Sequence, residues 1–189
     1  IGIEIIIFIF GILSVWFAKK ENIWVYPTGL IATIISVYLL YIAGYLGDMM
    51  INGYFSIMSI YGWYMWAKGT AVEDNLPITR TSFNEKIIGI VLFLLTIVVV
   101  FGIYSLAGQD VKTENYIDIA ASGIFFTAMW YMAHKKIENW TLWIIGDIVV
   151  TPLYAYRGLG MLALQYLIFT IIAVYGYLEW KRILQEKKA

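Results

Sequence analysis

The chain has no cysteine, a single histidine and no net charge. Without thiols it cannot build disulfides, iron–sulfur clusters or a thiolate nucleophile. His134 stands alone in a charged loop, so neither a bis-histidine haem nor a histidine-rich metal site can form. Thirteen basic residues against thirteen acidic ones give no basic surface for nucleic acid. Glycine-rich phosphate loops, an HExxH element and a serine with a base in reach are all missing, which excludes the familiar hydrolase and ATP-driven chemistries. The chain reads as a non-enzyme, and no cofactor is expected. Charge is scarce as well, at 14% of residues, while 61% are hydrophobic. A soluble domain of 189 residues has no use for so much apolar surface, so the fold class is an all-α, polytopic membrane protein.

A membrane-spanning helix needs about 20 mostly apolar residues. Seven runs qualify: 2–18, 24–45, 48–67, 87–106, 116–133, 139–158 and 159–180. The first lacks a basic leader region and a small-residue cleavage site, so it is read as a spanning helix and not as a signal peptide. If the 1–2, 3–4 and 5–6 loops share one side with the C-terminus, that side holds Lys19, Lys20, Lys68, Arg80, Lys86, Lys135, Lys136, Lys181, Arg182, Lys187 and Lys188. Lys112 and Arg157 alone remain on the other. The positive-inside rule then predicts an outer N-terminus and a cytoplasmic C-terminus, in the cell (inner) membrane.

An internal repeat divides the chain. Tyr61-Gly62-Trp63-Tyr64-Met65-Trp66 aligns with Tyr175-Gly176-Tyr177-Leu178-Glu179-Trp180 at an offset of 114, and Phe55 aligns with Phe169. Two three-helix units joined directly would be inverted, because three is odd; an extra helix makes them parallel. The expected organisation is therefore three plus one plus three: a first repeat at 1–68, a cytoplasmic loop at 69–85, a linking helix at 86–107, a second repeat at 113–182 and a tail at 183–189. The linking helix is apolar all round and expected to face lipid.

The sixth run carries an ionisable residue at mid-membrane depth. At helical spacing Trp140, Trp143, Asp147, Thr151 and Tyr154 share one face. A carboxylate this deep costs at least roughly 3 kcal/mol unless it faces a polar cavity or a partner. Pro152 removes a hydrogen bond beside it, so the helix is expected to kink or loosen there. The competing reading is a buried Asp satisfied by Thr151 or a neighbouring hydroxyl, with the tryptophans as packing. The third run mirrors this stripe with Asp48, Asn52, Phe55, Ser59 and Trp66. Asn52 offers donors and acceptors to a substrate, or an interhelical bond. Gln165 in the seventh run has the same two readings. Gly176 permits close helix approach. Trp16, Trp24, Trp63, Trp66 and Trp180 lie near helix ends, where interfacial anchoring is expected. Asp118 fits a salt bridge or a mouth residue.

The combination of Lys135-Lys136-Ile137-Glu138-Asn139-Trp140, Trp143-Ile144-Ile145-Gly146-Asp147, Pro152-Leu153-Tyr154 and Trp63-Tyr64-Met65-Trp66 resembles the PnuC-type nicotinamide riboside transporters, over nearly the whole chain. The resemblance implies a three-plus-one-plus-three fold similar to SWEET sugar facilitators, a homotrimer in a lipid bilayer, and facilitated diffusion of a small vitamin substrate that a cytoplasmic vitamin kinase then traps. It places the ligand-contacting tryptophan at Trp143 and an aromatic contact at Phe55. Asn52 stands where riboside transporters typically carry Gln, and Asp147 where they often carry Asn. An anionic site suits a cation, so thiamine stands beside nicotinamide riboside; relatives resembling this family are thought to carry thiamine or riboflavin.

Overall fold

The computed structural model describes residues 2–43, 46–69, 76–106, 108 and 113–187. Among them run seven helices: α1 (Gly2–Lys19), α2 (Val25–Ala43), α3 (Leu46–Lys68), α4 (Phe83–Leu106), α5 (Thr113–Ala133), α6 (Glu138–Tyr156) and α7 (Gly160–Glu186). Each overlaps one of the seven apolar runs. Two extend well beyond them, for local reasons. Ser82 and Glu85 cap α4 reciprocally: the Ser82 N–H donates to Glu85 Oε2 at 2.7 Å and the Glu85 N–H to Ser82 Oγ at 3.4 Å. That is a capping box, and it starts the helix four residues before the apolar run. At the other end of the chain, Arg182 pairs with Glu179 at 2.6 Å and reaches Glu186 at 3.9 Å, carrying α7 past its last tryptophan.

The helices close into a ring in the order α1–α2–α3–α5–α6–α7, with α7 returning to α1; α4 lies against α5 and touches α3. One side of α4 serves this contact. Thr127 Oγ1 donates to the Gly89 carbonyl at 3.3 Å, and Tyr131 Oη to the Glu85 carbonyl at 3.2 Å. The opposite side, with Ile90, Val91, Leu94 and Val98, is exposed, so the linking helix is apolar all round but partnered along one stripe. Three helices, α1, α4 and α7, are long and apolar enough to cross a membrane by composition alone.

Both polar stripes point inward. On α6, Trp140 and Asp147 are buried while Ile145, Ile148 and Val149 are exposed. On α3, Ser59, Gly62 and Trp66 are buried while Ile57, Ile60 and Tyr64 are exposed. The pattern is polar-inside and apolar-outside, as a bilayer requires of a solute pathway.

The chain turns between α1 and α2 and between α5 and α6 are the same turn. Glu21 and Lys135, 114 positions apart, both sit at positive φ, +53° and +48°. The Asn22 N–H donates to the Phe17 carbonyl at 2.9 Å, and the Lys136 N–H to the Tyr131 carbonyl at 2.8 Å. Two residues of this kind in the left-handed region are uncommon; their occurrence at equivalent positions extends the repeat well beyond the α3 and α7 motifs. Among the described residues only the second turn is overlaid. Thr79 runs alongside Lys136 in a short parallel bridge, accepting from the Ile137 N–H at 3.0 Å and donating to the Lys135 carbonyl at 3.1 Å.

One expectation needs correction. Trp66 and Trp180 are not interfacial anchors: they are 5% and 0% exposed, inside the cluster that closes one end of the ring. Helix-end position suggested the interface, but both side chains point along the inward stripe. Trp16, Trp24 and Trp63 are exposed as anchors should be. Pro152 lies inside α6, which continues to Tyr156. One lost backbone bond is not enough to end it.

Candidate functional site

Four helices contribute aromatic rings to one cluster, two of whose members, Trp143 and Val150, flank Asp147 along α6. Phe55 of α3, Phe125 of α5, Trp143 and Tyr154 of α6 and Tyr166 of α7 pack with Ala121 and Val150. The rings form a ladder. Phe125 stacks on Trp143 with centroids 5.3 Å apart and on Tyr166 at 6.0 Å; Tyr166 lies 5.3 Å from Tyr154, to which it is hydrogen-bonded. Gly146 makes this possible, because a Cβ there would collide with the Phe125 ring. In a bilayer such contacts act through van der Waals packing, since lipid is as apolar as the side chains.

Asp147 is 1% exposed. Its Oδ1 has no hydrogen-bond partner among the described residues. Thr151 does not satisfy it: the Thr151 hydroxyl donates to the Asp147 main-chain carbonyl at 2.7 Å. Thr151 is therefore not the hydroxyl that satisfies this carboxyl. A buried polar atom left without a partner costs about 1–3 kcal/mol.

The predicted site residues divide. Trp143, Phe55 and Tyr154 join Asp147's cluster. Asn52 is half-buried one turn before Ser56, whose hydroxyl donates to the Asn52 carbonyl at 3.0 Å and to Thr33 Oγ1 at 2.8 Å. Gln165 is buried, but on the seam where α7 meets Gly11 of α1. Trp140 lies two helical turns from Asp147, about 10 Å along the axis, edge-on to Trp180 at 5.5 Å in the other cluster. Asp48 belongs to α3, but its side chain lies outside the described residues. Asp118 takes the salt-bridge alternative: Arg157 holds it at 2.7 Å, tying the start of α5 to the end of α6.

Phe125 and Tyr166 were missed, although both left a signal. Phe125 completes a stripe with Asp118 and Ser122 at helical spacing. Tyr166 is the 114-offset counterpart of Asn52.

A ring of helices with a buried carboxylate, an aromatic ladder and two internally repeated turns is the arrangement expected of one class of protein, the multi-helix solute transporters. Comparison with known proteins makes this specific. Residues 1–182 match the nicotinamide mononucleotide transporter family. The chain belongs to that family, which is one of transporters and not of enzymes. It is similar to the nicotinamide riboside transporter PnuC of Escherichia coli (strain K12), with 27% identity covering 98% of this chain and 87% of that one. It is also similar to the riboflavin/roseoflavin transporter RibM of Streptomyces davaonensis, with 21% identity over 91% of this chain and 81% of that protein. The crystal structure of the vitamin B3 transporter PnuC has the same fold, with a TM-score of 0.77 and 23% identity over 96% of this chain and 81% of that one.

Proposed function

We propose that this chain carries a small cationic vitamin precursor, foremost nicotinamide riboside, across the cell (inner) membrane by facilitated diffusion. The observation that carries the reading is the buried Asp147 carboxylate set beside the ladder of Trp143, Phe125, Tyr166 and Tyr154. A flat cationic ring stacked on Trp143 or Phe55 gains cation–π attraction, and Asp147 offsets its charge. Nicotinamide mononucleotide is disfavoured by the same geometry. Its phosphate would face a carboxylate, and the nearest basic side chain of α6, Arg157, is held by Asp118. The relatives named for nicotinamide riboside support the first choice. Thiamine is the second reading, favoured by a carboxylate, a stronger partner for a full positive charge than an amide. Asn52 binds an amide or amino group in either case.

The architecture that supports this is three plus one plus three, SWEET-like, with seven membrane-spanning helices and parallel repeats related by an axis along the membrane normal. The closed ring, the outlying α4 and the paired turns all fit it. Basic residues set an outer N-terminus and a cytoplasmic C-terminus. The exposed apolar side of α4 suits a homotrimer, and phosphorylation by a cytoplasmic vitamin kinase traps the substrate.

The test is counterflow in proteoliposomes. With no imposed gradient, labelled nicotinamide riboside should exchange; uphill accumulation driven by a proton or sodium gradient would contradict facilitated diffusion. Native mass spectrometry in detergent should show trimer, and monomer alone would count against that assembly.

A further inference from the structure

The other end of the ring is plugged, and the plug obeys the repeat. Tyr26 lies edge-on to Trp66 at 5.2 Å and 86°; Trp140 lies edge-on to Trp180 at 5.5 Å and 87°. Tyr26 and Trp140 are 114 residues apart, as are Trp66 and Trp180. Each α2 or α6 ring seats over an equivalent glycine. A Cβ on Gly62 would strike Tyr26, and one on Gly176 would come within 2.7 Å of Trp140. The two pairs meet where Trp66 and Trp180 approach to 6.3 Å. Above that meeting point the equivalent turn residues form an ion pair, Lys135 Nζ to Glu21 Oε2 at 3.0 Å. Lys135 Nζ also lies 4.5 Å from the centre of the Trp66 ring.

We infer that Tyr26, Trp66, Trp140 and Trp180 form the gate at the basic end of the pathway, and that the Glu21–Lys135 pair is the latch holding it shut. This rests on the proposed two-repeat pathway, because a solute moving from Asp147 towards that end along the repeat axis must part the two ring pairs. Three features support a device built to open. Tyr26 Oη, Trp140 Nε1 and Trp180 Nε1 are buried with no partner among the described residues, so parting the rings lets them regain water. Glu21 and Lys135 are supplied one from each repeat, so separation of the halves breaks the latch. Finally, the Lys135 turn is fixed by Thr79, and Lys136 Nζ is held by Glu85 at 2.7 Å and by Thr79 Oγ1 at 2.9 Å. Among the described residues no strand overlays the Glu21 turn in this way. Opening therefore moves the α1–α2 turn away from a stationary α5–α6 turn.

The absence of native cysteine makes the test direct. Glu21→Cys/Lys135→Cys in proteoliposomes should exchange nicotinamide riboside until a bis-methanethiosulfonate reagent bridges the pair, then lose about tenfold or more of its exchange and recover it with reductant. Bridged protein that exchanges at the unbridged rate would overturn the gate. A second measurement does not depend on transport. In detergent, Ala18→Cys, which replaces a residue 1% exposed inside the plug, should react with a polar thiol reagent about fivefold or more faster when Glu21→Lys is added. Adding Lys135→Glu as well should restore protection. Equal reactivity in all three backgrounds would show that the pair is no latch. If the unmodified protein exchanges none of nicotinamide riboside, thiamine and riboflavin, the transport reading fails, while the labelling result still decides the gate.

Discussion

The units α1–α3 and α5–α7 agree at one end of the molecule and differ at the other. At the basic end the turns, the edge-on ring pairs and the glycines beneath them correspond position by position. Around Asp147 they do not. The 114-offset counterpart of Asp147 is Thr33, that of Trp143 is Gly29, that of Phe125 is Gly11 and that of Tyr166 is Asn52. Thr33 Oγ1 accepts from Ser56 at 2.8 Å and donates to the Leu30 carbonyl at 3.3 Å, and Gly29 and Gly11 leave room for Ser14 and for Gln165 with Phe169. The comparison teaches a division of labour. Closing a pathway on an axis calls for two matching halves, whereas gripping an asymmetric vitamin calls for unlike halves. On the proposed reading most of the recognition residues fall in the second unit, with Phe55 and Asn52 from the first; the second unit is also the more buried, with most of the inner half of α5 enclosed while α1 buries Ala18 alone.

The comparison breaks most severely at the glycines of the symmetric end. Gly176→Leu should displace Trp140 and cost about 3 kcal/mol or more of stability, the upper range for overpacking a filled site, read as a lower unfolding midpoint and lost exchange. Gly62→Leu should do the same through Tyr26. If either is tolerated, the paired seats are not what sets the helix spacing. At the unlike end, Trp143→Ala should weaken substrate binding by about 1–3 kcal/mol by calorimetry, while Gly29, its counterpart, should accept Ala with little change in affinity. A smaller effect is expected from Thr33→Val. Removing its bond to Ser56 should cost about 0.6 kcal/mol, a usual value for one interhelical hydrogen bond in a membrane, and leave ligand preference intact. A change of preference would place Thr33 in the site.

Much of this was legible in the sequence, for physical reasons. Each helix announces itself because a bilayer demands a long apolar run, and Asp147 stands out because charge at that depth is rare. The inward stripes of α3 and α6 followed from helical periodicity. What stayed hidden involved contacts between distant positions. Nothing in the residues around Trp66 and Trp180 says that they meet across the ring; their nearness to helix ends favoured anchoring. The Glu21–Lys135 pair was likewise out of reach, since periodicity says nothing about two turns 114 residues apart. The capping box Ser82–Glu85 was readable but overshadowed by the apolar run after it.

The central claim is that Asp147 selects a positive ring, and a ligand panel on purified protein tests it most directly. Nicotinamide riboside, thiamine, riboflavin and a sugar would be titrated by calorimetry against the parent protein and Asp147→Asn. At least one of the two cations should bind the parent protein, and Asp147→Asn should weaken it by about tenfold or more, or roughly 1.4 kcal/mol, while a neutral analogue of the same shape loses much less. Binding of neither cation, or unchanged affinity in Asp147→Asn, would contradict the account.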